Sequence, residues 1–241
     1  MEELRLLFSE GYRQFLFVDD SFTMNPRRVI KLCQKIRAEK MDIEWICEGR
    51  VDHCSYEMMR AIAKAGCKVI YFGIESANQK VLDYFRKQTT PQQAEKAVKT
   101  ARKAGIEVIV GSFIVGAPNE TREEIQNTLE FPKKADIDIP QFNILGAFPG
   151  NDVWEELKTK GLLNEDKYWE TGVFASEICP NTVPYEEIRK MIDKHFKHFF
   201  TRPKYILTEV ARTLRSPYRM SVVLSNINRV SEISESIRQL T

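Results

Sequence analysis

The pattern that most constrains this chain is a repetition: a short apolar run, a few polar or glycine residues, then a segment with apolar side chains at helical spacing. The runs are QFLFVDD, IEWICEGRV, KVIYFGIES, EVIVGSFIVG and FNILGAFPG. The segments that follow them are NPRRVIKLCQKIRAEK, SYEMMRAIAKAG, NQKVLDYF with TPQQAEKAVKTARKAG, TREEIQNTLEFPKKA and NDVWEELKTKGLL. Strand-then-helix units in series imply a parallel sheet, because each helix carries the chain back to the same starting edge by a right-handed crossover.

Local start and stop signals support the helical segments. Asn25 before Pro26 and Thr90 before Pro91 each place a cap residue ahead of a proline at the first helical position; Ser55 precedes YEMM, and Thr121 with Glu124 forms a candidate capping box. Gly66 and Gly105 stand where helices ending IAKA and ARKA need a left-handed cap. The opening MEELRLLFSEGY is helical in period, with Leu4, Leu7 and Phe8 on one face, and no strand precedes it. The first unit is therefore expected to lack its strand and to leave the edge of FLFVDD unpaired, which invites association with another chain. After about Gly161 the alternation stops. NEDKYWETGVFASEICPNTVP reads as a loop and the remainder as helix, so the expected division is 1–160 and 161–241.

Charge and cysteine usage narrow the classes. With 36 basic against 34 acidic residues there is no basic surplus of the kind phosphate neutralisation demands, so nucleic acid is not suggested. No apolar run approaches the roughly 18 residues of a membrane span. Five cysteines, odd in number and widely spaced, do not make a disulfide framework; a reducing, cytoplasmic setting is expected.

In parallel strand-helix arrays ligands bind at the carboxyl ends of the strands, where helix N-termini point their amides. Those ends carry Asp19 and Asp20, Glu48 and Arg50, Glu75 and Ser76, Gly116 with Asn119 and Glu120, and Pro149 with Gly150 and Asn151. Each also has a structural reading: the aspartates as turn residues, Arg50 and Glu75 as an ion pair, GAPNET as a turn and cap. His195 and His198 share a helix face with no further metal ligand evident nearby.

Taken together, FLFVDDSFT, CEGRVD, YFGIESANQKVLDYFRKQTT, GSFIVGAPNETREEIQNTLEF and FNILGAFPGNDVWEELKTKG resemble, in order and spacing, the radical S-adenosylmethionine (SAM) superfamily. The resemblance covers roughly Met1 to Tyr168 and is to the branch whose members often carry a cobalamin-binding domain ahead of the core. It implies an α/β fold, a partial (β/α)6 TIM-like barrel lacking its first strand, with a C-terminal helical extension. It further implies that SAM lies across the strand ends. Asp19 and Asp20 would meet its amino group, Arg50 its carboxylate, and Glu75 and Ser76 the ribose and carboxylate. Gly116 would let the backbone approach the adenine, Glu120 would fix that turn, and Pro149 and Gly150 would hold the loop that brackets it.

The family's chemistry also needs a [4Fe-4S] cluster on a Cys-x3-Cys-x2-Cys loop, which reductively cleaves SAM. No such triplet occurs here, and Cys33, Cys47, Cys54 and Cys67 read as small buried side chains rather than surrogate ligands. The resemblance therefore implies a radical SAM core that is truncated and inactive alone, with an N-terminal half or partner chain supplying the cluster. The alternatives are a non-catalytic partner subunit that keeps the fold, or a barrel enzyme acting on a phosphorylated metabolite. The last is disfavoured because no strand-end loop forms a compact glycine-rich phosphate cradle. Nothing in the sequence selects a substrate.

Overall fold

A computed structural model of the protein describes residues 1–171 and 179–226. These fall into two compact units that divide between Phe196 and Lys197.

The first unit opens with helix α1 (Glu2–Ser9) and continues through β1 (Gln14–Leu16), a 3-10 turn (Phe22–Met24), α2 (Pro26–Ala38), β2 (Glu44–Gly49) and α3 (Tyr56–Lys64). Then come β3 (Cys67–Glu75), α4 (Gln79–Tyr84), α5 (Pro91–Ala104), β4 (Val108–Val115), α6 (Arg122–Ala135) and β5 (Ile139–Ile144). Helices α7 (Asp152–Thr159), α8 (Glu165–Thr171) and α9 (Tyr185–Thr201) follow. The boundary between the units falls inside α9.

The strands form one sheet in chain order, every neighbouring pair parallel. This is the parallel sheet expected from the repeating pattern and the partial barrel implied by the resemblance, with β1 and β5 as its edges.

The caps behave as their sequences predict. Asn25 and Ser55 each accept a bond from a backbone N–H three residues on, and Thr90 with Gln93 and Thr121 with Glu124 close reciprocal capping boxes. Gly66 and Gly105 both take left-handed backbone angles, φ +98 and +99. One face of the sheet is sealed by the helices. Trp45 is fully buried there, packed on Phe17 and Phe22 at ring distances of 5.0 and 5.4 Å, with its indole N–H donating to the Ala65 carbonyl. Helix α5 lays Ala94, Ala97, Ala101 and Ala104 against this core, small side chains that allow close approach.

Two expectations are corrected. The first strand is shorter than FLFVDD: ladder pairing runs from Gln14 to Leu16, with one further bond from the Phe17 N–H to the Ile46 carbonyl. Paired on one side only, the chain has no second ladder to hold it extended, and Val18 stands 80% exposed. Part of the expected loop after residue 161 is helix α8, whose Tyr168 packs edge-on to Trp154 of α7 at 4.8 Å. The rest of that loop, 172–178, and the helix expected beyond residue 226 lie outside the described residues.

Candidate functional site

The helix-free face of the sheet is only partly covered, and its side chains follow from strand alternation. Trp45 and Cys47 point into the helical layer, so Ile46 and Glu48 point away; register sets Glu48 beside Tyr71, Gly73 beside Ser112, and Ser112 in turn beside Gln141. Polar groups thus line one face towards the carboxyl ends of the strands.

At the end of β3 the ladder passes from Gly73 opposite Ser112 directly to Glu75 opposite Phe113, which leaves Ile74 as a bulge. Glu75 takes a left-handed backbone at φ +67, an uncommon and costly state for a residue with a Cβ. Its carboxylate accepts a 2.7 Å bond from Lys87 Nζ. A Cβ at Gly73 would lie 2.8 Å from Glu75 Oε1 and 3.1 Å from Lys87 Nζ, so the ion pair lies over the bare backbone of Gly73. Both partners are mostly shielded, at 15% and 21% side-chain exposure, which makes the pair harder to screen than a surface bridge.

Arg50, just beyond β2, reaches the same cluster. Its Nε and Nη2 donate to the two carboxylate oxygens of Asp52 at 3.0 and 2.9 Å, and Nη2 also donates to the Lys87 carbonyl at 3.4 Å. Partial burial works against the Asp52 charge, but the Arg50 fork outweighs it and holds this carboxyl below its ordinary range. The Arg50 backbone N–H donates to Thr23 Oγ1, fixing the 3-10 turn to the end of β2. Arg50, Asp52, Glu75 and Lys87 thus form one network; Arg50 Nη1 has no hydrogen-bond partner among the described residues.

Ser76 lies elsewhere. It is fully buried, its hydroxyl 3.1 Å from that of Thr128 and accepting from the Asn78 backbone N–H. This network ties the end of β3 to α6. Asp19 pairs with Arg28 of α2 at 2.8 Å, and Asp20 is exposed.

The turn after β4 is built around a second carboxylate. Glu120, 1% exposed, accepts through Oε2 from the backbone N–H groups of Gly116 (2.7 Å) and Ala117 (3.1 Å), while Oε1 is buried without a hydrogen-bond partner among the described residues. Asn181 straps the outside of the turn, its amide donating to the Ala117 and Glu120 carbonyls. Gly116 sits at φ +88, and a Cβ there would lie 2.9 Å from Cys179 Sγ, so what its bare backbone admits is the close approach of Cys179. Pro149 and Gly150 are exposed, with Gly150 at φ +85 turning the chain into the Asn151 cap of α7.

Burial pushes the Glu120 carboxyl up to about 7, the two backbone N–H donors opposing it only in part. A carboxyl whose folded value is raised contributes stability that is fully present below its unfolded value and is lost as pH rises through the folded one. Stability is therefore expected to fall between about pH 4.5 and 7, by on the order of 3 kcal/mol. Denaturant unfolding across that range checks this: Glu120→Gln should flatten the slope, and an unchanged slope would assign it to other groups.

The cysteines are accounted for by the core. Cys33, Cys47 and Cys67 are buried between α2 and the sheet, Cys47 and Cys67 with sulfurs 4.0 Å apart, and all five are free thiols. Burial pushes Cys33 up to about 12 and Cys67 well above its ordinary value, the opposite of what a thiolate ligand needs. Among the described residues no group of three His, Cys, Asp or Glu side chains converges as a metal site. Among the described residues, the donor set does not fit an iron–sulfur cluster.

Residues 1–131 match the sequence profile of the Radical SAM superfamily. The chain belongs to that superfamily. An uncharacterized methyltransferase from Pyrococcus horikoshii is 37% identical over 211 residues, 87% of this radical SAM chain and 46% of that protein. The bacteriochlorophyllide d C-8(2)-methyltransferase of Chlorobaculum tepidum is 30% identical over 173 residues, 70% of this chain and 37% of the enzyme. In fold, the radical SAM methyltransferase TsrM from Kitasatospora setae, solved with cobalamin and a [4Fe-4S] cluster, superposes at TM-score 0.59 and 18% identity. That match covers 66% of this chain and 33% of TsrM. The chain spans less than half the length of these curated relatives.

Of the radical SAM rim residues expected from sequence, the structure brings Arg50 and Glu75 into one network, though not as a direct pair. It sets Glu120 and Gly116 together in a separate turn. Sequence reasoning missed Asp52, Lys87 and Thr23, the groups that hold Arg50 and Glu75 in place. Lys87 had no visible signal, since it reaches Glu75 only because the chain folds back after α4. Asp52 had one: a carboxylate two residues from an arginine is within reach of a bidentate fork.

Proposed function

We propose that this chain is the SAM-holding half-barrel of a cobalamin-associated radical SAM enzyme. In this reading the cluster cysteines come from polypeptide outside these 241 residues, because they contain no Cys-x3-Cys-x2-Cys. The observation that carries it is the network of Arg50, Asp52, Glu75 and Lys87 at the carboxyl ends of β2 and β3, within the stretch that matches the superfamily.

SAM is a zwitterion at one end and a nucleoside at the other, and the rim offers groups for each. Arg50 keeps Nη1 as a donor for the carboxylate, and Asp20, exposed beyond β1, is a candidate partner for the amino group. Glu75, locked by Lys87 over Gly73, presents an oriented acceptor to a ribose hydroxyl. Asp19 and Ser76 act behind these, one anchoring α2 and the other anchoring α6 to β3. The turn of Gly116 and Glu120 and the loop at Pro149 and Gly150 bound the adenine side. A cluster held by polypeptide outside these residues would supply the electron for SAM cleavage; the residues here would bind and orient SAM. The methyltransferase character of the relatives supports methyl transfer as the reaction class. Five free thiols support a reducing, cytoplasmic setting.

Calorimetric titration with SAM tests this directly. The chain should bind SAM, and Glu75→Gln should weaken binding about tenfold by removing one charge-assisted acceptor. Anaerobic reconstitution of the chain alone should give no 5′-deoxyadenosine above a SAM-only control. Failure to bind SAM would favour a fold-retaining, non-catalytic partner subunit instead.

A further inference from the structure

The second unit carries an unusual helix. Helix α10 (Pro203–Arg215) exposes Ile206, Leu207, Val210 and Leu214, at 47%, 71%, 52% and 71%. At about 100° per residue, these four and Ala211 fall within an arc of about 140°. The opposite side is already occupied: Tyr205 packs on Phe199 and Phe200 at 5.0 and 5.3 Å, and Glu209 pairs with Arg212 and Arg219. The helix therefore turns its polar and aromatic side, half-buried at Tyr205, Glu209 and Arg212, towards its neighbours and presents its aliphatic side outward, the reverse of a surface helix folded on its own core.

One border of that face is basic. Lys204 and Arg215, both exposed, flank one edge of the aliphatic arc. Across residues 197–226 six lysines and arginines stand against Glu209 as the single acid, and that acid is held by two arginines. No described helix is long and apolar enough to cross a membrane.

We propose that α10 is an interfacial membrane contact. Its aliphatic face enters the headgroup region of an anionic lipid surface, and Lys204 and Arg215 extend to lipid phosphates. Charge selects this occupant: a second copy would set one basic border against another, whereas an anionic bilayer supplies apolar depth and negative charge together. The inference stands on the second unit alone and does not depend on SAM binding.

Flotation of the full chain with phosphatidylcholine vesicles, with and without phosphatidylglycerol, tests it. Binding is expected only when phosphatidylglycerol is present, and high salt should weaken it. Lys204→Ser with Arg215→Ser should lower partitioning about 30-fold. Leu207→Gln with Leu214→Gln should lower it at least about tenfold. All four side chains are exposed, so unchanged circular dichroism verifies that the variants fold. The proposal is overturned by no flotation, by equal flotation on both vesicles, or by undiminished binding of the leucine variant. Sedimentation showing self-association that the leucine variant abolishes, without flotation, would assign the face to a second copy. Retention on polyglutamate but not on vesicles would assign it to an acidic polypeptide.

Discussion

Gly66→Ala is expected to destabilise the protein by more than about 4 kcal/mol, a large share of a typical domain's stability. Two effects add. Gly66 ends α3 at φ +98, where any side chain is strained by roughly 1 kcal/mol. A Cβ there would also lie 1.9 Å from the Ile43 carbonyl oxygen, which is backbone and has no rotamer to change. Relief requires moving Ile43 away from Gly66, just where the Trp45 N–H donates to the Gly66 carbonyl and starts the pairing of β2 with β3. Denaturant unfolding of the purified variant measures the effect. A loss below about 1 kcal/mol, the cost of the backbone angle alone, would mean that this junction yields easily.

Asp138→Ala is expected to cost roughly 3 kcal/mol or more, because it strips the buried Ile109 N–H of its acceptor and replaces the 2.7 Å Arg102 pair with a longer, 3.7 Å contact to Asp136. Asp138 is 1% exposed, and its Oδ2 accepts 2.7 Å bonds from both Arg102 of α5 and the Ile109 backbone N–H of β4. One oxygen thus joins a helix to the strand it precedes. Asp138→Asn keeps an acceptor and the shape, and should lose less than half as much. Equal losses for the two variants would show that geometry, not charge, matters at this junction.

Much of the fold was legible because it is written in local chemistry. Strand positions followed from runs such as KVIYFGIE, and helix starts from Asn25, Ser55, Thr90 and Thr121, whose side chains bond backbone groups only three residues away. The first strand was overestimated because FLFVDD has strand composition throughout, while pairing on one side sustains only Gln14–Leu16 and a single further bond. Helix α8 was missed because its seven residues are too few for periodicity to declare itself.

By itself, then, the sequence determined the parallel strand-helix order and which residues stand near the strand ends, properties of spacing and short-range bonding, and its motifs carried the resemblance to the superfamily. Only the tertiary structure decided what those residues meet. Glu75 pairs with Lys87 rather than Arg50, Arg50 with Asp52, and Ser76 turns inward to Thr128. It also decided that Glu120 is buried enough to hold its proton near neutrality and that α10 faces outward with its aliphatic side. The physical reason is common to all of these: ion pairing, desolvation and exposure depend on distances between segments far apart in the chain, and no local pattern encodes them.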